Sequence, residues 1–379
     1  MNTNNHTIDL NITLTAPLHL AYPDNSVALN PEKPKKKRSL TVKKPVLIGG
    51  DLTQVPFFPA NGTRGGLRRK AAARVMKYLT AQARVPSSLY LGLTCGAATG
   101  SPDSTALSVE ELLRARQNVY MGMFGGGARL LSSAYKVSDL NPVLDLTVKA
   151  GMVPEYCKEI VQPRRSKDGK ENEVSFLEPW QIVKGILSMV RVDDVARMMR
   201  PDEIMEFVES PKESVAAHQE AILVNNDDRK EGTASKESLA NMMATETVAT
   251  GTPMHMRITC APSTSEAQMG LLLYALNDLI RENSLGGLSS QGFGTFRVDA
   301  IHVKLGDSLG CENVKALDLG SGEDFKLPSN ATVSRLLQAA DQGLSELSIE
   351  EMQSYFYDFS ADAKAEAKAA KKSKATKES

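Results

Sequence analysis

The sequence is poor in cysteine and in aromatic residues, and neither sign of charge is in excess. Its 379 residues include four cysteines, Cys95, Cys157, Cys260 and Cys311, which form no Cys-x-x-Cys pair and have no histidine at metal-ligand spacing. Disulfides and a structural zinc site are therefore not expected. No apolar run is long enough to cross a bilayer, and the first residues lack a signal-peptide pattern. These absences favour a globular cytoplasmic protein with reduced thiols and no membrane partner.

The 45 basic and 45 acidic residues balance, but the basic ones are concentrated in one part of the chain. Between residues 33 and 101 the one acid is Asp51. The lysines and arginines of this stretch after residue 33 are Lys35, Lys36, Lys37, Arg38, Lys43, Lys44, Arg64, Arg68, Arg69, Lys70, Arg74, Lys77 and Arg84. A segregated basic segment can bind a polyanion locally while the rest of the chain stays soluble. The alternative is a solvated lysine loop at 33–44 and a helix with charged flanks.

Apolar spacing predicts two strand–helix–strand units, one near each end of the chain. The predicted strands cover residues 7–14, 254–260 and a segment through Phe296 and Val298. The first helix has Asn61 or Thr63 as its N-cap and carries an apolar stripe formed by Leu67, Ala71, Val75 and Leu79. The second helix covers residues 265–281. Two such units predict an α+β fold, a ferredoxin-like (RRM-like) palm split by long insertions, whose open sheet face is a common platform for single-stranded RNA.

We expect one domain over residues 1–359, followed by an alanine- and lysine-rich tail at 360–379. The tail has no large apolar residues to offset its ordering entropy, so we expect it to be disordered. Residues 30–44, rich in lysine and proline, are predicted to form a mobile loop. The expected palm segments are about 7–80 and 250–305, and the expected insertions are 30–44 and about 85–248.

Two segments suit the backbone of a nucleic acid. The glycine-rich run at 286–294 lies between a helix and a strand, the reverse of the dinucleotide fingerprint, and no Gly-Lys-Ser/Thr ends it, so no cofactor is predicted. Glycine lets bare amides approach a sugar-phosphate chain closely; the alternative is a tight helix-to-strand turn. At 59–69, the unpaired amides of a helix N-terminus come together with arginines, an arrangement suited to phosphate.

Four motifs in this order resemble the backbone subunit of Class 1 CRISPR effector complexes, a member of the RNA-binding RAMP superfamily. They are FPANGTRGGLR at 58–68, MFGG at 123–126 with VSD at 137–139, ATGT at 249–252, and LGGLSSQGFGTF at 285–296. The type IV version is the most similar, followed by type III. The resemblance implies a prokaryotic antiviral or anti-plasmid ribonucleoprotein complex in which copies of the subunit form a helical filament along CRISPR guide RNA. The implied partners are the guide RNA, a complementary target nucleic acid with DNA favoured, further copies of the chain and other effector subunits.

The resemblance and the basic segment together give the predicted RNA-binding residues. These are Lys35, Lys36, Lys37, Arg38, Lys43, Lys44, Asn61, Gly62, Thr63, Arg64, Gly65, Arg68, Arg69, Phe124, Gly125, Gly126, Gly286, Gly287, Ser290, Gln291, Gly292 and Gly294. The resemblance also implies inserted finger segments and a thumb hairpin that displaces bases from the guide–target duplex. The thumb is expected within about 210–250, with Met242 and Met243 near its tip; the alternative is that these methionines return to the core.

The resemblance bears on catalysis as well. Type III backbone subunits carry a loop aspartate that supports metal-dependent RNA cleavage. The matching position here is Lys43, which can neither ligate Mg²⁺ nor replace an acid, and Asp24 and Asp51 fall at other positions. We therefore predict no catalytic residue, no metal and no enzymatic activity.

Two other classes of function are weighed against this one. A RAMP-fold endoribonuclease that processes CRISPR RNA or cleaves target RNA could use a histidine as general acid or base. His255 and His302 lie at polar strand positions, where surface histidines are expected, and no histidine stands in a recognisable catalytic cluster. A structural protein unrelated to nucleic acid would show affinities insensitive to salt, whereas a phosphate-binding protein weakens steeply as salt rises.

Overall fold

The computed structural model describes residues 5–21, 27–28, 37–96, 108–128, 130–160, 177–191, 213, 240–306, 325–327 and 330–356. The strands are β1 (His6–Leu14), β2 (Val27–Ala28), β3 (Lys37–Ser39), β4 (Lys43–Ile48), β5 (Asp51–Pro56), β6 (Tyr135–Val137), β7 (Asn141–Pro142), β8 (Val183–Arg191), β9 (Ala240–Val248), β10 (Pro253–Cys260) and β11 (Phe296–Lys304). The helices are α1 (Ala60–Thr80), α2 (Ser87–Cys95), α3 (Val109–Gln117), α4 (Met121–Phe124), α5 (Asp145–Lys149), α6 (Pro179–Ile182), α7 (Glu266–Glu282), α8 (Ala331–Ser345) and α9 (Ile349–Phe356). Short 3-10 segments lie at Glu155–Ile160 and Ser289–Gln291.

The chain divides into two compact units, and the first contains an antiparallel sheet. This first unit is assembled from Met1–Leu20, Val42–Lys184 and Val248–Ser379. Its strand order is β11–β1–β10–β6, and β7 also pairs with β10. In the central strand, Leu10 lies opposite Met256 of β10 and Ile301 of β11. The described helices and strands make the chain an α+β protein.

One face of this sheet carries the core. Ile8, Leu10, Ile12 and Leu14 of β1 are buried there, as the alternating sequence pattern predicts. Helix α1 contributes the predicted apolar stripe, whose four residues are completely buried. Helix α7 packs against α1 and α8, and its N-terminus is closed by a capping box in which Ser265 and Gln268 each accept the other's backbone N–H.

The β4–β5 hairpin leaves the sheet as a separate two-stranded ribbon. Its turn consists of Gly49 and Gly50, which both have positive φ angles, as a tight two-residue hairpin turn requires. Leu47 and Leu52 lie opposite each other beside this turn, and both are 66% exposed. Helix α6 packs against β5 and leaves Trp180, the chain's one tryptophan, 70% exposed. The first unit therefore presents large apolar side chains to solvent on the hairpin and on the adjoining helix.

The second unit is formed by residues 21–41 and 185–247. Its sheet has the order β2–β3–β9–β8, with β2 and β3 antiparallel and β3 and β9 parallel. Glu246 of β9 is buried, and one of its carboxylate oxygens accepts the backbone N–H of Thr41 at 3.1 Å. A buried carboxylate thus fixes the last residue of the inserted 21–41 segment.

Two sequence predictions about element boundaries are wrong. Residues 30–44 were expected to form a loop, but Lys37–Ser39 form β3 and Lys43 begins β4. Helix α1 was expected to start with Asn61 or Thr63 as N-cap, but its N-cap is Pro59 and its first residue is Ala60. The extended backbone of Pro59 makes the entry, and Thr63 is buried one turn inside the helix. The predicted tail at 360–379 lies outside the described residues.

Candidate nucleic-acid interface

The N-terminus of α1 is already occupied by an anionic side chain of the protein itself. The carboxylate of Asp139 accepts the backbone N–H of Ala60 at 2.9 Å and the ammonium group of Lys44 at 2.8 Å. Lys44 also lies 4.6 Å above the ring centre of Phe57. A helix N-terminus favours a negative charge, and here Asp139 supplies it. Lys44 was predicted to contact RNA, but its ammonium group forms an ion pair with Asp139. The sequence motif did not reveal that Asp139 bonds both this lysine and the N-terminus of α1.

Arg68 was predicted to contact phosphate, but it faces the interior of the protein. Its guanidinium donates to the backbone carbonyl of Gly125 at 3.0 Å and to that of Phe124. Both bonds are charge-assisted and fix the glycine-rich turn that follows α4. The α1 arginine and the Phe-Gly motif, which lie 56 residues apart in sequence, therefore form one structural contact.

The Phe-Gly turn is also packed within the protein. Phe124 is completely buried, with its ring stacked on Tyr120 and edge-on to Tyr135 at centroid distances of 5.3 Å. The amides of Gly125 and Gly126 donate to backbone carbonyls of the protein, and a Cβ on either glycine would lie 2.2 Å from a backbone oxygen. Phe124, Gly125 and Gly126 were predicted to contact RNA, and the structure shows that all three also make contacts within the fold.

Other residues of α1 do reach the surface. Asn61, Gly62 and Arg69 are exposed, and Gly65 is half-buried beside the guanidinium of Arg69. Arg64 donates weakly to the hydroxyl of Ser133 at 3.3 Å, and its buried Nε–H has no hydrogen-bond partner in the described part of the chain. Further along the helix, Lys70 pairs with Glu282 and Arg74 with Asp278 of α7.

The glycine-rich segment after α7 has a packed part and an exposed part. Gly286 and Gly294 have φ angles of +78° and +75°, and a Cβ on either would strike a backbone oxygen. The N–H of Gly287 donates to the carbonyl of His19, and that of Gly294 to Pro17. These three glycines close a turn within the fold, which is the alternative that the sequence left open. Ser290, Gln291 and Gly292 form the exposed part.

The start of α1 and this glycine-rich turn border the same part of the core. One small apolar cavity is lined by Thr63 of α1, by Leu140 and by Leu285 and Phe296, which flank the turn. We call the exposed residues of these two segments the helix–turn surface; they are Asn61, Gly62, Arg69, Ser290, Gln291 and Gly292. The surface combines the Arg69 guanidinium with polar side chains, and the space around Gly292 is open, so a phosphate backbone could approach the main chain closely at that glycine.

The remaining predicted site residues cannot be placed on this surface. Lys35 and Lys36 lie outside the described residues, and Lys37 and Arg38 lie on β3, where the backbone alone is described. Met242 and Met243 lie on β9 in the same way, so the predicted thumb stays a prediction. Lys43 is half-buried at the start of β4.

The second face of the main sheet is partly covered, contrary to the open platform that the sequence predicted. The segment around Tyr156 and Cys157 lies over it, and its Tyr156 hydroxyl donates to Asp9 at 2.6 Å. Arg257 forms a bidentate ion pair with the same carboxylate, at 2.6 and 2.8 Å. Alternating polar residues on β1 and β10 were visible in the sequence, but nothing there identified the segment that covers them.

His255 lies in the middle of this covered region and is 1% exposed, so the expectation of a surface histidine is wrong. Its Nδ1 donates to the side-chain oxygen of Asn11 at 2.7 Å, with the Cys157 thiol 3.4 Å away. Burial lowers the pKa of His255 to about 4 and raises the pKa of the Cys157 thiol to about 12. Both groups are therefore neutral at pH 7, and neither is exposed to a substrate.

Asp9 beside them has a lowered pKa. Burial alone would raise it, but hydrogen bonds from Arg257 and Tyr156 outweigh that effect. In the described ranges no group of three or more His, Cys, Asp or Glu side chains has metal-binding geometry. No described helix is long and apolar enough to cross a membrane.

Comparison with known proteins returned two CRISPR complexes among the similar solved structures. A chain of a "Type IV-B CRISPR Complex" has a TM-score of 0.45 and 16% identity, and the match covers 86% of this chain and 96% of that one. A chain of the "Type III-B Cmr-beta bound to cognate target RNA" has a TM-score of 0.34 and 11% identity, covering 79% and 61%. These are the two types, in the same order, that the sequence motifs resemble. No protein-family model and no curated protein matches the chain.

Proposed function

We propose that the chain is a non-catalytic, guide-RNA-binding backbone subunit of a CRISPR effector complex, with the main sheet serving as a ferredoxin-like palm. The strand order β11–β1–β10–β6 supports the palm, because α1 lies between its first two strands in sequence and α7 between its last two. Copies of the chain would follow one another along the guide RNA, which would pair with a complementary strand of invading plasmid or phage DNA.

The observation that carries this proposal is the helix–turn surface. Arg69 and Gln291 supply a cation and a hydrogen-bonding amide, and Gly292 has open space where a side chain would stand. Such contacts hold a sugar-phosphate chain without reading its sequence, so base pairing by the guide would provide the specificity.

Polymerisation has separate support in the exposed apolar side chains of the first unit. Leu47, Leu52 and Trp180 lie on elements that pack against each other, and Trp is the residue type most enriched at the energetic centres of protein interfaces. Scattered apolar residues are normal on a surface, whereas large exposed apolar side chains on two elements that pack together favour a partner. We propose that a neighbouring copy or another effector subunit contacts this region.

The absence of nuclease activity is proposed on two grounds. Lys43 occupies the position of the catalytic aspartate in the resemblance, and a lysine cannot ligate Mg²⁺. His255, a candidate for general acid–base chemistry, is buried and neutral. Incubating the assembled complex with complementary RNA and Mg²⁺ tests this; cuts at regular intervals would favour the endoribonuclease instead.

The decisive experiment is co-expression of the chain with a CRISPR array and the neighbouring genes, followed by purification and sequencing of the bound RNA. Guide RNAs of defined length, each with several copies of the chain, are the expected result. The variant Arg69→Ala should bind the same RNA about 5-fold more weakly at 0.1 M salt, as expected for one lost phosphate contact. The matched control is Lys77→Ala, which removes an exposed cation two turns further along α1 and should leave the affinity for RNA unchanged. Purification without enriched RNA, or with a single copy on a repeat hairpin, would contradict the proposal.

A further inference from the structure

One end of the palm's second face, which no described segment covers, has a row of side chains that crosses all four strands. The register places Lys136 of β6 opposite Thr259 of β10, Thr259 opposite Thr7 of β1, and Thr7 opposite Lys304 of β11. Since neighbours in a register share a face, these four side chains lie on one side of the sheet. We call them the lysine row. Both lysines are exposed and both threonines are half-buried.

Among the described residues, the charge around the lysine row is positive. In the next row, Arg257 has 43% of its side chain exposed and uses two of the five N–H groups of a guanidinium on Asp9. Asp9 is buried, so its charge is both neutralised by Arg257 and withdrawn from solvent. His302 and Tyr156 border this pair, their rings edge-on at 5.3 Å. On the covering segment, the acid Glu155 is paired with Lys158 at 2.5 Å.

The spacing of the lysines suits an extended anion. Adjacent strands lie about 4.8 Å apart, so the outer strands of a four-stranded sheet are roughly 14 Å apart. An extended polyanion lying across the strands can contact both lysines without either side chain bending toward the other. The threonine hydroxyls between the lysines can donate to phosphate oxygens along the way.

The aromatic neighbour favours a single strand over a duplex. Tyr156 is 39% exposed beside the lysine row, so part of its ring is accessible. Bases of a single strand can stack on an aromatic ring, but the base faces of a duplex are already stacked on each other. We therefore propose that the lysine row, with Arg257 and Tyr156, is a second binding surface for the phosphate backbone of single-stranded nucleic acid, separate from the helix–turn surface.

The test measures binding of a fluorescein-labelled 20-nucleotide oligouridylate RNA to the purified full chain over a series of salt concentrations. The variant Lys136→Gln/Lys304→Gln removes two phosphate contacts and should lower the slope of log K against log salt by about 1.4, which is roughly 25-fold in affinity at 0.1 M salt. The control Lys149→Gln/Lys326→Gln removes the same charge from exposed positions elsewhere in the first unit and should leave the slope within error.

Each outcome decides the inference. Equal slopes for the two double variants would overturn it, as would a duplex of the same length that competes as well as the single strand. Circular dichroism of each variant checks that the fold is kept. Because the oligouridylate contains no guide sequence, the slope comparison is independent of guide binding. Failure to recover guide RNA from cells would contradict the proposed function, but the oligouridylate measurement would still test the lysine row.

Discussion

Acid should destabilise this protein through one histidine. His255 is buried with its ring bonded to Asn11, and its pKa is about 4 in the folded chain compared with about 6.5 in an unfolded one. Between these two pH values the unfolded chain binds more protons, so the free energy of unfolding falls as pH falls. The stability that the neutral, buried His255 contributes is fully present above pH 6.5 and fully lost below pH 4. Integrating between pH 7 and pH 5 gives a loss of about 2 kcal/mol, and the full window gives about 3 kcal/mol.

The assay is urea unfolding followed by circular dichroism at pH 7 and pH 5, in the wild type and in His255→Gln. Glutamine cannot titrate, so the variant should lose about 2 kcal/mol less than the wild type on acidification. Asp9, whose pKa is lowered, adds a further loss only as pH falls below the usual carboxyl range. Equal pH dependence in the wild type and His255→Gln would refute the reasoning.

Three other predictions concern the motif residues and the exposed apolar surface. Arg68→Ala leaves the carbonyls of Phe124 and Gly125 without their donor, so it should lower the free energy of unfolding by about 2 kcal/mol. Arg69 is exposed, so Arg69→Ala should change the free energy of unfolding by less than about 0.5 kcal/mol. Urea unfolding of both variants tests this difference. Gly294→Ala would place a Cβ 1.8 Å from the Leu285 carbonyl and should cost more than about 3 kcal/mol, while Gly292→Ala, at a similar φ but in open space, should cost about 1 kcal/mol; similar midpoints for the two would contradict this. Trp180→Ala should change the free energy of unfolding of the monomer by less than about 0.5 kcal/mol, but it should reduce the number of copies per guide RNA in native mass spectrometry. An unchanged copy number would show that Trp180 is not part of the interface.

The strands and helices of the palm could be predicted because their apolar periodicity is strong. The alternation in β1 and β10 and the four-residue spacing in α1 each assign one buried face, and the structure buries those residues. The entry into α1 could not be predicted in the same way. A sequence shows which residue types can cap a helix, but here an extended Pro59 and the distant carboxylate of Asp139 fulfil that role.

Tertiary partners explain the errors at the site. Nothing in the local sequence of His255 shows that Cys157, which lies 98 residues away, covers it. Likewise, a lysine such as Lys44 looks the same in the sequence whether it faces solvent or pairs with Asp139. Alternation predicts that polar residues share a sheet face, but whether that face is open depends on segments that pack from elsewhere in the chain.

The motifs that resemble CRISPR backbone subunits contain two kinds of residue with different consequences. Arg68, Phe124, Gly125 and Gly294 hold the fold together: the arginine fixes the Phe-Gly turn, and the glycines sit where a Cβ would strike the backbone. Substitution of these residues should impair RNA binding only by impairing folding. Arg69 and the Ser290–Gly292 turn reach solvent, so their loss should weaken RNA binding while leaving stability intact. A motif match of this kind is therefore evidence mainly about the fold, and the proposed RNA-binding role depends on the few motif residues that the fold does not use.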